Sequence, residues 1–244
     1  MEQLEGRNPI LECLRRNRRK VHKIWLDTGA KPERRLKEIY ELAGSRGIRI
    51  QRVHRRALDD LADGRVHNGV IASVAPIVQP SMKALLQMEP TFEPPFLLFA
   101  DSLTYEHNLG AVLRSALGFG VNALVIPTRR GAGLSPVVQR VSMGAVEEVP
   151  VVRESLYPAL RQTKKAGYRV IGADMAGESL TKVDLSGPVA LVLGGEGRGL
   201  SSKIKERCDS LVSIPAAGEL ESFNVSVAAS ILLYEKRRQD GWFK

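Results

Sequence analysis

The stretch FLLFADSLTYEHNLGAVLRSALGFGVNALVIP, Phe96 to Pro127, decides the fold class. FLLFAD (Phe96–Asp101) and NALVIP (Asn122–Pro127) are short, near-continuous apolar runs that read as strands. Between them Leu109, Val112, Leu113, Ala116 and Leu117 recur at helical spacing. Strand, helix and strand of this kind predict a parallel sheet covered on both faces. Asn108 stands where a helix cap is expected. Arg114 sits among small apolar residues, and the local pattern leaves open whether it is solvated surface or the reason for the helix.

The same alternation continues downstream. SPVVQRVSMGA reads as a helix, RVIGAD and VALVLG as strands, GGEGRGLS as a loop, SLVSIP as a strand and SFNVSVAASILLYEKRR as a helix. Residues 96–244 are therefore expected to form one α/β domain, with ligands bound beyond the carboxyl ends of its strands. Three loops there draw attention: the one leading to Asn108, GGEGRG at 194–199, and PAAGELESFN at 215–224.

Upstream, residues 1–75 read as a smaller α/β unit. A helix is expected from Asn8-Pro9, then strand VHKIWLD, helix PERRLKEIYELAGSRG, strand IRIQRV, a short helix around RRALDDLA and strand GVIASVAP. Residues 76–95 hold five of the 13 prolines and are expected to be a linker, because the residue before each proline favours extended backbone.

Charge follows this division. Of the 36 Lys and Arg, 17 lie in residues 1–75, against 10 of the 27 Asp and Glu, so that segment carries +7 of the total +9. RRNRRK (Arg15–Lys20) and RVHRR (Arg52–Arg56) concentrate the excess. Such a surface favours a polyanion through counterion release, which points to nucleic acid. Aromatics at 5% make shape and phosphate contacts more important than base stacking. No apolar run approaches a membrane span, and MEQLEGRNP is read as no signal peptide. Cys13 and Cys208 form no CxxC or Cys/His cluster, which is read as a reduced, metal-free cytoplasmic protein. His54 and His67 are read as surface or loop histidines, His107 as a helix-entry residue and Cys208 as an inert thiol.

The loop LGGEGRGL is neither a Walker A motif nor a dinucleotide fingerprint. Its glycines allow close approach of a ligand and positive φ, and Glu196 in their midst suits a neutral or cationic ligand better than a pyrophosphate. Ser222 and Asn224 both suit a helix cap, and capping explains only one of them.

NLGAVLR, LVLGGEGRGL and SIPAAGELESFNVSVAASILLYE resemble the three motifs of the SpoU (TrmH-type) RNA ribose 2′-O-methyltransferases of the SPOUT superfamily. GRNPILECL and VHNGVIASV resemble the L30e-like substrate-binding domain of the RlmB branch, which methylates a guanosine of 23S ribosomal RNA. The resemblance implies an N-terminal RNA-binding domain over 1–75, a linker over 76–95 and, over 96–244, a methyltransferase domain with a trefoil knot acting as a homodimer. It implies S-adenosylmethionine as cofactor, held around Leu193, Gly194, Gly195, Ile214, Phe223 and Val225. It places Asn108, Arg114, Glu196, Ser222 and Asn224 at the catalytic positions, with no metal. Tyr105, Glu106 and Glu221 depart from the family pattern and bear on RNA contact.

Methyl transfer to a ribose oxygen is an in-line displacement, so positioning and removal of the hydroxyl proton are what the protein must supply. The family proposal makes the arginine the general base, whereas a guanidinium is better suited to gripping a phosphate. A tRNA substrate and a non-catalytic RNA-binding role are the alternative readings.

Overall fold

The structure is a computed structural model that describes residues 1–197, 199–218 and 222–243. In chain order the first elements are β1 (Glu2–Glu5), α1 (Arg7–Arg16), β2 (Val21–Asp27), α2 (Arg34–Ser45), β3 (Arg49–Val53), α3 (Arg55–Leu61) and β4 (Val70–Val74). They are followed by α4 (Met82–Leu85), β5 (Phe96–Ala100), α5 (Glu106–Gly118), β6 (Ala123–Ile126) and α6 (Pro136–Val141). A 3-10 turn (Ala145–Glu147), β7 (Val151–Arg153), α7 (Leu156–Lys165), β8 (Arg169–Ser179), β9 (Val189–Leu193), α8 (Ser202–Lys205), β10 (Ser210–Ser213) and α9 (Val225–Gln239) complete the chain.

Two compact units emerge, Met1–Val78 with Leu134–Glu148, and Gln79–Gly133 with Val149–Lys244. The first is built on a four-stranded sheet in the order β1-β4-β2-β3, with only β2 and β3 parallel. Its main core joins Leu4, Ile10, Leu14, Ile24, Leu36 and Ile39, while Leu58 of α3 packs with Ile71 in a separate cluster. Helices α1 and α2 bury apolar stripes at the 3.6-residue period, which is why both form. The segment Leu134–Glu148 joins this unit through Arg19, whose nearly buried guanidinium pairs with Glu147 and Glu2 and donates to Gln139 Oε1 at 2.7 Å.

The second unit carries six strands in the order β10-β8-β9-β5-β6-β7, every neighbouring pair parallel. All five residues of β5 and of β9 are buried, as central strands covered on both faces require.

Several elements depart from expectation. Segment 76–95 is not only extended: Ser81 caps α4, and Met82 and Leu85 are buried in the core of the second unit. β1, β7 and α7 were not expected. β1 and β7 are too short to show a period, and in α7 Pro158 falls within the first turn, where a missing N–H costs little.

Candidate active site

In the second sheet the chain moves outward from β5 through β6 to β7 and then returns to build β8, β9 and β10 on the other side of β5. β5 and β9 are the neighbours at which strand order reverses, the place where open parallel sheets bind ligands. Their ladder runs to the end, with Ala100 opposite Leu193 and the Asp101 amide donating to the Leu193 carbonyl at 2.8 Å. The next residues on both strands build the site.

Glu196 is its hub. Its Oε1 accepts from Asn108 Nδ2 at 2.6 Å, and its Oε2 accepts from Thr104 Oγ1 at 2.7 Å and from the Tyr105 amide at 3.3 Å. Asn108 Oδ1 in turn accepts from Asn224 Nδ2 at 3.2 Å. Asn224 Oδ1 accepts from the amide and hydroxyl of Ser226 at 2.9 and 2.6 Å. Every amide nitrogen donates and every amide oxygen accepts, so the three loops are tied by one consistent chain of hydrogen bonds. Burial alone raises the Glu196 carboxyl pKa, but the donors Asn108, Thr104 and Tyr105 outweigh it and hold the group below its ordinary range.

Asn108 is not the helix cap. Tyr105 occupies that position without a side-chain bond, and Asn108 lies inside the first turn of α5 with its side chain turned to Glu196. Asn224 is both the cap of α9 and a member of the network.

The glycine loop is dictated by the chain itself. A Cβ on Gly194 would lie 2.4 Å from the Gly199 carbonyl carbon, and one on Gly195 would lie 3.0 Å from the Asp101 oxygen. Gly195 and Gly199 pair across the loop, and Gly197 and Gly199 take φ of 76° and 62°.

The structure thus brings together Asn108, Glu196 and Asn224. It leaves Arg114 and Ser222 outside that network, both exposed and without a side-chain hydrogen bond among the described residues. Arg114 lies six residues beyond Asn108, about 9 Å along α5 and about 120° around it. Of the expected cofactor contacts, Leu193, Gly194 and Gly195 follow one another at the end of β9. Ile214 directly follows β10, two strands from β9, and Phe223 and Val225 sit at the start of α9. All three are partly buried. Tyr105 is 67% exposed beside the site, Glu106 opens α5, and Glu221 lies outside the described residues.

Sequence reasoning missed Thr104, whose only signal was its place in the β5–α5 loop. Two cations in the last turn of α9 are also buried, Lys236 at 1% and Arg237 at 0% exposure. Arg237 donates to the carbonyls of Phe119 and Pro94, each at 2.9 Å, and both cations pair with Asp240. His67 lies in the loop before β4, one of the two places expected for it, and it is buried there. It is 2% exposed, bonded through Nε2 to Asp59 at 2.8 Å and accepting on Nδ1 from the Gly69 amide. Burial pushes the Cys13 and Cys208 thiols up to about 11, so neither is a thiolate at neutral pH. Among the described residues no group of three or more His, Cys, Asp or Glu is arranged to hold a metal, and no helix is long and apolar enough to cross a membrane.

The SpoU rRNA Methylase family model matches residues 95–234, the span that contains every member of this network. The chain belongs to the SpoU rRNA methylase family. A second model, described as RNA 2′-O ribose methyltransferase substrate binding, matches residues 3–80 of this SpoU methylase. The chain is 38% identical over 240 residues to the 23S rRNA (guanosine-2′-O-)-methyltransferase RlmB of Escherichia coli, covering 98% of each. It is 39% identical over 237 residues to YacO of Bacillus subtilis, a protein named for the TrmH family of tRNA/rRNA methyltransferases, covering 96% of this chain and 94% of that one. Among solved structures it resembles the SpoU methyltransferase AviRb of Streptomyces viridochromogenes in complex with AdoMet, at TM-score 0.78 and 25% identity over 97% of this chain and 89% of that one.

Proposed function

We propose that this SpoU methylase transfers a methyl group from S-adenosylmethionine to the ribose 2′-hydroxyl of a guanosine in 23S ribosomal RNA. The observation that carries the reading is the Asn108–Glu196–Asn224 network at the β5/β9 reversal, in a chain that aligns end to end with RlmB. Action on ribosomal RNA places the protein in the cytoplasm.

The residues present fit the cofactor. Ile214, Pro215, Ala216, Ala217 and Gly218 carry no charge, and among the described residues nothing bonds to the Ala216 and Ala217 amides, which leaves them for a polar ring. Leu193, Gly194, Gly195, Ile214, Phe223 and Val225 would hold it, and the loop's ionised Glu196 suits a cationic ligand. When bound, the cofactor supplies an electrophilic methyl group on a sulfonium.

The chain's own residues position the acceptor. Glu196 stays ionised and fixes Asn108 and, through it, Asn224, so that three loops keep one geometry. Arg114, unengaged within the described protein, grips the phosphate beside the target ribose and steadies the developing alkoxide. Guanidinium groups keep their proton in proteins, so the hydroxyl proton leaves to a phosphate oxygen or water. Ser222 supplies a neutral hydrogen bond.

The enzyme works as a homodimer through α9. Val227 and Tyr234, seven residues apart on that helix, are 46% and 49% exposed, and Phe243 stacks on Tyr234 at 5.1 Å.

Incubating the purified protein with labelled S-adenosylmethionine and 23S rRNA tests the reading. Label should appear in one 2′-O-methylguanosine. Label in tRNA alone, or none, overturns it.

A further inference from the structure

Helices α5 and α9 lie side by side and run in the same direction, joined by hydrogen bonds at three levels. At their starts Asn224 Nδ2 donates to Asn108 Oδ1 at 3.2 Å. Midway the hydroxyls of Ser115 and Ser230 meet at 2.9 Å. At their ends Arg237 donates through Nε to the Phe119 carbonyl at 2.9 Å and through Nη2 to the Gly120 carbonyl. The first level belongs to the network of the active site. The last lies 13 residues beyond Asn224, about 20 Å along α9.

This distal level is built around a cation that solvent does not reach. Arg237 is 0% exposed, and its Nη1 donates to the Pro94 carbonyl at 2.9 Å and to the Asp240 carboxylate at 3.0 Å. The Trp242 ring lies 3.9 Å from the guanidinium, and Trp242 Nε1 donates to the Glu93 carbonyl at 3.1 Å, which closes the chain end over the group. Gly120 leaves room for that ring, since a Cβ there would fall 2.2 Å from it.

Stability alone does not account for such a residue. Taking a guanidinium out of water costs free energy that its partners must offset, and a well-packed apolar side chain of similar volume often serves a core as well or better. An apolar contact does not fix where one helix stands along another, because hydrocarbon surfaces slide past each other with little preference. A planar fork bonded to two successive carbonyls at the end of α5 and to Pro94 before β5 does fix it. Setting register is the role in which buried polar groups are best attested. A slip of about 1 Å between these helices would open the Asn224–Asn108 bond at their other end.

We infer that Arg237 is a positioning residue for methyl transfer, which locks the register of α9 on α5 and so holds Asn224 against Asn108. The inference rests on the RNA methyltransferase reading. Being fully buried, Arg237 is out of reach of RNA and cofactor alike, so its effect falls on kcat and not on binding.

Lys236 supplies the control. It is 1% exposed on the same turn, pairs with Asp240 of its own helix and faces the Phe96 ring, and it bonds nothing on α5 among the described residues. Full-length Arg237→Met and Lys236→Met each exchange a buried cation for an apolar chain. The measurements are kcat, KM for RNA, cofactor affinity by calorimetry and the urea midpoint. Arg237→Met is expected to lower kcat at least tenfold with KM and cofactor affinity within threefold of the wild type. Lys236→Met should keep kcat within twofold, whichever way its midpoint moves. Arg237→Lys keeps the charge beside Asp240 without the fork, covers a failure of Arg237→Met to fold, and should show the same loss of kcat. In an Asn224→Ala background Arg237→Lys should slow single-turnover transfer less than twofold further, because the contact it protects is already gone. Wild-type kcat in Arg237→Lys, equal kcat losses at positions 236 and 237, or losses that multiply in the double variant would overturn the inference and leave the methyltransferase reading intact. A wild-type protein that methylates no RNA would remove both.

Discussion

Asn108 and Glu196 stand 88 residues apart in the chain, yet Asn108 Nδ2 donates to Glu196 Oε1 at 2.6 Å across the loops that follow β5 and β9. With Thr104 and the Tyr105 amide, three donors converge on this carboxylate. Substitution Glu196→Gln puts an amide donor among them. The variant is expected to lose about 1–2 kcal/mol of stability. A displacement of about 1 Å at Asn108 would slow methyl transfer roughly 100-fold. Urea melts and single-turnover rates check the two effects.

The same contact sets a pH dependence. Because the folded carboxyl pKa of Glu196 is lowered, its share of stability is present above the ordinary carboxylate range and lost as pH falls through the folded value. The stability gap between wild type and Glu196→Gln should therefore be full at pH 7 and shrink below pH of about 4.5. Urea melts across this range measure it. A gap that widened on acidification would mean the carboxyl is raised, not lowered.

Arg114 is exposed, so Arg114→Ala should leave stability within about 0.5 kcal/mol of the wild type. Cofactor affinity by calorimetry should stay within a few fold while methyl transfer is abolished. Arg114→Lys should rescue poorly, because a point charge does not reproduce the planar fork.

Gly194 and Gly197 separate fold from flexibility. Gly194→Ala forces a Cβ onto the Gly199–Leu200 backbone and is expected to prevent folding, so its loss of cofactor binding would say nothing about the pocket. Gly197→Ala meets open space and only the positive φ, at a cost of about 1–2 kcal/mol. Thermal melts of the two proteins distinguish these cases.

Strands β5, β6 and β9 of the second unit were legible because buried parallel strands are written as unbroken apolar runs. The pairing of Asn108 with Glu196 was not, since hydrogen bonds between loops leave no period, and Asn108 reads locally as a cap. Arg237 shows a related limit. A basic helix end is ordinarily solvated, and only the tertiary structure supplies the carbonyls of Phe119 and Pro94 that let it be buried. The attachment of Leu134–Glu148 to the first unit includes Arg19 meeting Glu147, 128 residues away, and Arg140 donating to the Val66 carbonyl, and no local signal announces either. The five positions proposed as catalytic came from the resemblance to family motifs, and three of them, Asn108, Glu196 and Asn224, meet in one hydrogen-bond network.

The central claim is ribose methylation of 23S rRNA, and mass-spectrometric mapping of total RNA from cells with and without the gene tests it most directly. The account predicts that one 2′-O-methylguanosine of 23S rRNA disappears with the gene, returns with the wild-type copy and stays absent with Arg114→Ala. An unchanged 23S map, or a loss confined to tRNA, would contradict it.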